Sequence, residues 1–110
     1  MTTVQLPHSV LMQRLGDMSK SIIQKEQCCY LCGTTLLLEE HHIFRGPNRK
    51  VSERLGLKVW LCKEHHTGQT GVHNNQGLNG YLQKLAQRKY EETHTREEFM
   101  QEIGKNYLEE

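Results

Sequence analysis

The sequence has few apolar and aromatic residues and no long hydrophobic run. Hydrophobic residues make up 35% of the 110 positions, and the aromatic ones are one tryptophan, two phenylalanines and four tyrosines. Such a chain buries only a modest core, and small cores are often held together by a metal ion. No apolar stretch approaches the roughly 20 residues of a membrane-spanning helix. We therefore expect one small domain with helical arms and no membrane partner.

A secretion signal is also missing from the N-terminal residues. Residues 1–10 lack the basic segment followed by an apolar segment that marks a signal peptide. We therefore expect a cytoplasmic protein whose thiols stay reduced. In that compartment a Cys-x-x-Cys motif indicates a metal or redox site before it indicates a disulfide.

Potential metal ligands are concentrated in the middle of the chain. Five of the seven histidines lie between His41 and His73, and all four cysteines lie in or just before that span. Histidine and cysteine are the side chains best suited to zinc. Two short motifs, Cys29-x-x-Cys32 and Cys62-x-x-His65, together supply the four ligands that a closed structural zinc site requires.

The first of these motifs leaves alternatives open. Gly33 allows the positive φ that such a turn often needs, and Cys28 is an alternative first ligand at a spacing one residue wider. A redox pair or incidental thiols are the other interpretations. The redox pair is disfavoured because no βαβ pattern surrounds the motif.

Four more histidines remain in the same region after His65 is assigned to zinc. Adjacent residues on a strand point to opposite faces, so a His-His pair can serve one site only at a strand end. His41 and His42 stand just before the Gly46-Pro47 break. One of the two can bind a metal while the other stays free as a base, a role that suits imidazole because its pKa lies near neutrality.

The net charge of +1 hides an uneven distribution. Residues 41–63 carry six basic side chains against Glu53 alone, whereas residues 91–110 carry seven glutamates against two basic side chains. A basic segment beside a metal site suits a phosphate backbone, although a solvated loop is the alternative.

Hydrophobic periodicity predicts an α+β fold. Two antiparallel strands are expected at residues 36–43 and 57–61, with a short helix from Cys62 to about Thr67. Ser9 is expected to cap a helix from Val10 to about Gln24, and Asn79 one from Gly80 to about Glu91. Thr95 caps a last helix, with Glu98 completing a capping box.

These motifs together resemble the HNH nucleases, most closely small phage-type variants. The matching residues are Cys29-x-x-Cys32, His41-His42-Ile43 at a strand end, and Leu61-Cys62-x-x-His65-His66 opening a helix. The resemblance covers about residues 29–73. It implies a small ββα-metal (HNH) core with a zinc-knuckle pair at residues 28–76. An N-terminal arm (1–27) and a C-terminal helical pair (77–110) flank that core and are candidate surfaces for a homodimer.

The resemblance also implies a metal-dependent DNA endonuclease in the cytoplasm of a bacterial host. His42 becomes the general base, His41 and His66 become ligands of the catalytic ion, and His73 is the candidate third ligand. The family's middle Asn has no counterpart between Leu55 and Trp60, and Asn48 is only a weak substitute. Phosphates of the DNA are expected to contact the basic residues Arg45, Arg49, Lys50 and Arg54.

The implied cofactors are a structural Zn²⁺ and one divalent ion for catalysis, which could be Mn²⁺, Mg²⁺, Ni²⁺, Co²⁺ or Zn²⁺. A ligand set made of imidazoles favours the transition metals over Mg²⁺. Two other functions fit the sequence: a zinc-stabilised nucleic-acid-binding module without catalysis, and a structural or partner-binding protein that uses the acidic C-terminal helices.

Overall fold

An antiparallel hairpin of two five-residue strands organises the protein. The computed structural model describes residues 20–108. Strand β1 (Leu38–His42) pairs with β2 (Lys58–Cys62), so that Leu38 lies opposite Cys62 and His42 opposite Lys58. Because side chains alternate between the two faces, His41 and His42 leave the hairpin on opposite sides.

The connection between the strands places a short helix under the end of β1. It contains a 3-10 turn (Gly46–Asn48) and helix α1 (Arg49–Leu55), which ends at Gly56 with a φ of 76°. The Ser52 hydroxyl accepts a hydrogen bond from the Phe44 N–H (3.0 Å) and donates one to the Phe44 carbonyl (2.8 Å). This pair of bonds fixes α1 against the strand end, next to His42.

Three helices follow β2. Helix α2 (Lys63–His66) begins directly after Cys62, the last residue of β2, and a 3-10 turn (Val72–Asn74) leads into α3 (Gln76–Tyr90). Helix α4 (Arg96–Ile103) is the last helix of the described residues, and the capping box of Thr95 and Glu98 at its start is confirmed. Within the described range, no helix is long and apolar enough to cross a bilayer.

One apolar cluster joins the hairpin to the C-terminal helices. Ile43, Phe44 and Leu57 are buried beside Leu82 of α3 and Phe99 of α4. The rings of Phe44 and Phe99 meet edge-on, with their centroids 5.7 Å apart. The core therefore packs the hairpin against the C-terminal helices, and His41 and His42 lie at the edge of this apolar cluster.

The expected α+β fold with an antiparallel hairpin is confirmed, but several boundaries differ. Strand β1 starts at Leu38 rather than Leu36, because Leu37 has a φ of 52° and is exposed. The expectation that Asn79 caps a helix at Gly80 is wrong. Helix α3 starts at Gln76, where the Asn75 side chain accepts the Leu78 N–H.

The predicted N-terminal helix lies mostly outside the described residues. Its last positions, residues 20–24, form a bend and irregular backbone rather than helix. They run beside β2, where the Ile22 N–H donates to the Gly56 carbonyl (2.9 Å) and the Ser21 hydroxyl donates to the Lys58 carbonyl (2.6 Å).

Candidate metal centres

The four residues of the two short motifs come together as one cluster. Ligand atoms of Cys29, Cys32, Cys62 and His65 all lie within 4.8 Å of one another. The Sγ atoms of Cys32 and Cys62 are 3.9 Å apart, and His65 Nδ1 lies 3.3 Å from Cys62 Sγ and 3.7 Å from Cys29 Sγ. A tetrahedral zinc ion with ordinary bond lengths requires separations of roughly 3.5–3.8 Å. The cluster therefore has the composition and size of a structural zinc site.

Backbone bonds hold the first motif against the hairpin. The Tyr30 N–H donates to the Trp60 carbonyl (2.8 Å), and the Gly33 N–H closes the turn onto the Cys29 carbonyl (2.8 Å). Gly33 has a φ of 83°, as the sequence predicted. Cys28 lies outside the cluster and contacts Gln24, so Cys29 and not Cys28 belongs to the cluster.

The environment of Cys29 favours the thiolate that a metal needs. Burial alone raises the pKa of this thiol, but backbone hydrogen bonds from Cys62, Cys32 and Leu31 outweigh it and lower the pKa to about 6. Since the thiolate is the metal-binding form, these backbone hydrogen bonds favour the form of Cys29 that could bind an ion.

Three of the remaining histidines form a second cluster. The rings of His41, His66 and His73 meet edge-on, with centroids 4.7–5.5 Å apart. The Nε2 atoms of His66 and His73 are 3.1 Å apart. These three residues come from β1, from α2 and from the 3-10 turn before α3, so the fold brings them together from separate elements.

Two observations suggest that this three-histidine cluster is suited to binding a metal ion. His41 is 1% exposed, and its Nε2 has no hydrogen-bond partner among the described residues. Burial, with the nearby His66 and His73, lowers the pKa of His41 to about 3, so its ring is neutral at physiological pH. A buried, neutral imidazole nitrogen without a hydrogen-bond partner has the properties of a metal ligand.

The second observation concerns His66. Its Nδ1 donates to the Glu39 carboxylate at 2.7 Å, which leaves the lone pair of Nε2 directed at the cluster. A carboxylate behind a ligating histidine is the usual arrangement at protein metal sites, where it fixes the tautomer and orients the ring.

His42 lies outside the three-histidine cluster and has a different partner. Its Nε2 is 2.7 Å from Glu53 Oε1 on α1, so Nε2 donates to the carboxylate, and in the neutral ring Nδ1 is an acceptor. The Lys58 ammonium contacts both oxygens of Glu53 (3.0 and 2.9 Å) and also Glu40 (3.0 Å). Hydrogen bonds from His42 and Lys58 outweigh the effect of burial and lower the pKa of Glu53.

Glu40, His42 and Glu53 form a third group whose composition could bind a metal ion. The ammonium group of Lys58 already neutralises its two carboxylates. Lys58 is 3% exposed and its ammonium lies against both carboxylates. We therefore assign this group to orienting His42 rather than to an ion.

The predicted phosphate-binding residues do not share one environment. Arg45 is exposed and its Nη1 lies 2.6 Å from His73 Nδ1. Arg54 forms an ion pair with Glu102 of α4 (2.6 Å), whereas Arg49 and Lys50 are exposed on the first turn of α1. Asn48 donates to the Ile103 carbonyl (3.0 Å) and so serves the packing of α4.

Three residues of the site were not predicted from the sequence, namely Glu39, Glu53 and Lys58. A signal for Glu39 was present, since it lies two positions before His41 and therefore on the same face of β1. Glu53 is the single acidic residue in the basic segment. Only the packing of α1 shows that it reaches His42.

Comparison with protein-family models, with curated proteins and with solved structures found no match for this chain. The site therefore rests on its own geometry.

Proposed function

We propose that this protein is a metal-dependent endonuclease of the HNH type that hydrolyses phosphodiester bonds of DNA. The observation that carries the proposal is the division of labour between two adjacent histidines. His41 enters a three-histidine cluster suited to an ion, whereas His42 stays outside it with a carboxylate partner. A hydrolase of this kind needs both a ligand set and a separate base.

His41, His66 and His73 would hold the divalent ion, with Glu39 orienting His66. When bound, the ion supplies Lewis-acid stabilisation of the charge that develops on the scissile phosphate and the leaving oxygen. Imidazole ligands favour Mn²⁺, Ni²⁺, Co²⁺ or Zn²⁺ over Mg²⁺.

His42 takes the proton from the attacking water at its Nδ1. Glu53 accepts the Nε2–H and thereby fixes both the tautomer and the direction of the ring, as the third member of a catalytic triad does. Lys58 keeps Glu53 ionised and in place. In this site Glu53 provides the orienting contact for which the sequence offered only the weak candidate Asn48.

The cluster of Cys29, Cys32, Cys62 and His65 would hold a structural zinc ion that ties the first motif to β2 and α2. Arg45, Arg49 and Lys50 present positive charge on the exposed side of the connection between the strands. Such residues position a DNA strand through its phosphates and do not read its sequence.

The test is the nicking of supercoiled plasmid by zinc-loaded protein with added Mn²⁺. His42→Ala should keep its fold, both ions and its DNA binding, but cut more slowly by about 10²–10⁴ because proton transfer is lost. His66→Ala should lose the second ion and cleavage together. His94→Ala is the matched control, since His94 stacks on Tyr90 and is in neither cluster.

Two results would contradict the proposal. Undiminished nicking by His42→Ala would mean that another group is the base. DNA binding by the wild type without nicking under Mn²⁺, Ni²⁺, Co²⁺ or Mg²⁺ would make the protein a zinc-stabilised nucleic-acid-binding module.

A further inference from the structure

The hydrogen bonds around His73 form a chain with one direction. A guanidinium has N–H donors and no acceptor. Arg45 Nη1 lies 2.6 Å from His73 Nδ1 and 3.3 Å from His73 Nε2, and the shorter contact identifies Nδ1 as the nitrogen that accepts. A neutral imidazole that accepts at Nδ1 carries its hydrogen on Nε2, and His73 therefore donates from Nε2 to His66 Nε2 at 3.1 Å. His66 in turn donates from Nδ1 to Glu39. Each group along this chain has the donor or acceptor that its neighbour requires.

This arrangement of His73 cannot coexist with an ion bound to it. If the ion takes Nε2, the hydrogen must move to Nδ1, and the N–H of Arg45 then faces another N–H. If the ion takes Nδ1, it replaces Arg45 at the same lone pair. The contact between Arg45 and His73 is thus lost whichever nitrogen ligates.

We propose that Arg45 is a latch on the three-histidine site, released by the incoming ion and then available to a phosphate beside that ion. The second half of this statement rests on the proposed nuclease function, whereas the first half rests on the described contacts alone. If the ion frees Arg45 and thereby tightens the binding of a phosphodiester, then by linkage the phosphodiester tightens the binding of the ion by the same factor.

The first test measures ion binding without DNA. Zinc-loaded wild type and Arg45→Ala are titrated with Mn²⁺ by calorimetry at fixed pH and ionic strength. Arg45→Ala should bind Mn²⁺ about tenfold more tightly, because the ion no longer displaces a hydrogen bond from a charged group. Arg49→Ala removes the same charge from the exposed start of α1 and should change the affinity by less than about twofold.

The second test observes the latch directly by ¹⁵N NMR on titration with a second equivalent of Zn²⁺. In the wild type the guanidinium signal of Arg45 should shift and His73 should leave the Nε2–H tautomer. An Arg45 signal that stays unchanged while the site fills would overturn the proposal. Equal Mn²⁺ affinities of the wild type and Arg45→Ala would overturn it too, as would equal gains in Arg45→Ala and Arg49→Ala.

A short uncleavable DNA duplex separates this proposal from the nuclease function. It should tighten Mn²⁺ binding to the wild type more than to Arg45→Ala. If DNA has no effect on either protein while the two tests above succeed, the latch stands and the proposed phosphate partner is wrong.

Discussion

The segment from Cys62 to His66 contributes Cys62 and His65 to the cysteine cluster and His66 to the three-histidine cluster. The two clusters differ in the groups that contact their potential ligand atoms. In the cysteine cluster, backbone N–H groups stabilise the Cys29 thiolate, and Cys29 and Cys62 are buried. In the three-histidine cluster, a carboxylate orients His66, an arginine contacts His73, and His73 is exposed. The first arrangement suits an ion that stays with the fold, and the second suits an ion that is open to solvent.

Two pairs of adjacent histidines divide between these environments. His65 and His66 go to different clusters, and His41 and His42 go to a cluster and to a carboxylate. Neighbouring residues can do this because backbone geometry directs their side chains apart on both the strand and the helix. In each pair, the two adjacent histidines therefore have different partners.

Loss of a cysteine ligand should have the largest effect. Cys62→Ser removes a thiolate shared by β2 and α2, and with it folding free energy that is about 10–16 kcal/mol in small zinc domains. We expect no bound structural zinc and a largely unfolded chain by elemental analysis and circular dichroism. Cys28→Ser is the matched control and should retain both zinc and fold, since Cys28 lies outside the cluster. A folded, zinc-free Cys62→Ser protein would contradict the structural assignment.

Loss of the carboxylate behind His66 should weaken only the second ion. In Glu39→Gln the amide supports the ring less strongly than the carboxylate does, and such changes typically cost about 10–100-fold in metal affinity. Calorimetric titration with Mn²⁺ measures this, with structural zinc and the fold unchanged. Glu40→Gln, one residue along and on the other face of β1, should leave Mn²⁺ affinity unchanged. Equal losses in the two variants would mean that Glu39 acts only through general charge.

The contrast between the clusters also marks what sequence could predict. The ligands at short spacing, Cys29 with Cys32 and Cys62 with His65, were predictable because local spacing alone fits a tetrahedral ion. The contact of His42 with Glu53 and that of Arg45 with His73 were not, because each depends on how the connection between the strands folds back. The start of α3 was missed because two asparagines four residues apart compete as caps, and Asn75 is the one that accepts the Leu78 N–H.

Loss of the buried Lys58 should affect the neighbouring Glu53 and His42 and neither of the two clusters. Lys58→Met leaves Glu53 and Glu40 without their shared cation, and we expect a loss of about 1–3 kcal/mol in urea unfolding at pH 7. This is less than for a fully buried pair because the two carboxylate side chains are 24% and 28% exposed. Lys63→Met replaces an exposed lysine at the start of α2 and should have little effect.

The same variant has a pH signature. Burial raises the pKa of Glu53, while His42 and Lys58 lower it below the ordinary 4.5, so its stabilisation is present above that value and lost as pH falls through the folded pKa. In Lys58→Met the pKa of Glu53 should rise, as measured by carboxyl NMR titration. An unchanged pKa would show that His42 alone holds the carboxylate.

The smallest effect should come from the ion pair of Arg54, which contacts α4 and belongs to neither cluster. Its charge is paired with Glu102 on α4, where the side chains are 59% and 31% exposed, so Glu102→Gln should change stability by less than about 1 kcal/mol. A charge that already has a carboxylate partner gains less from a phosphate. Arg54→Ala should therefore lower the salt dependence of DNA binding by clearly less than the roughly one phosphate contact expected for Arg49→Ala. Equal slopes for the two variants would show that DNA displaces Glu102 and that the phosphate path reaches α4.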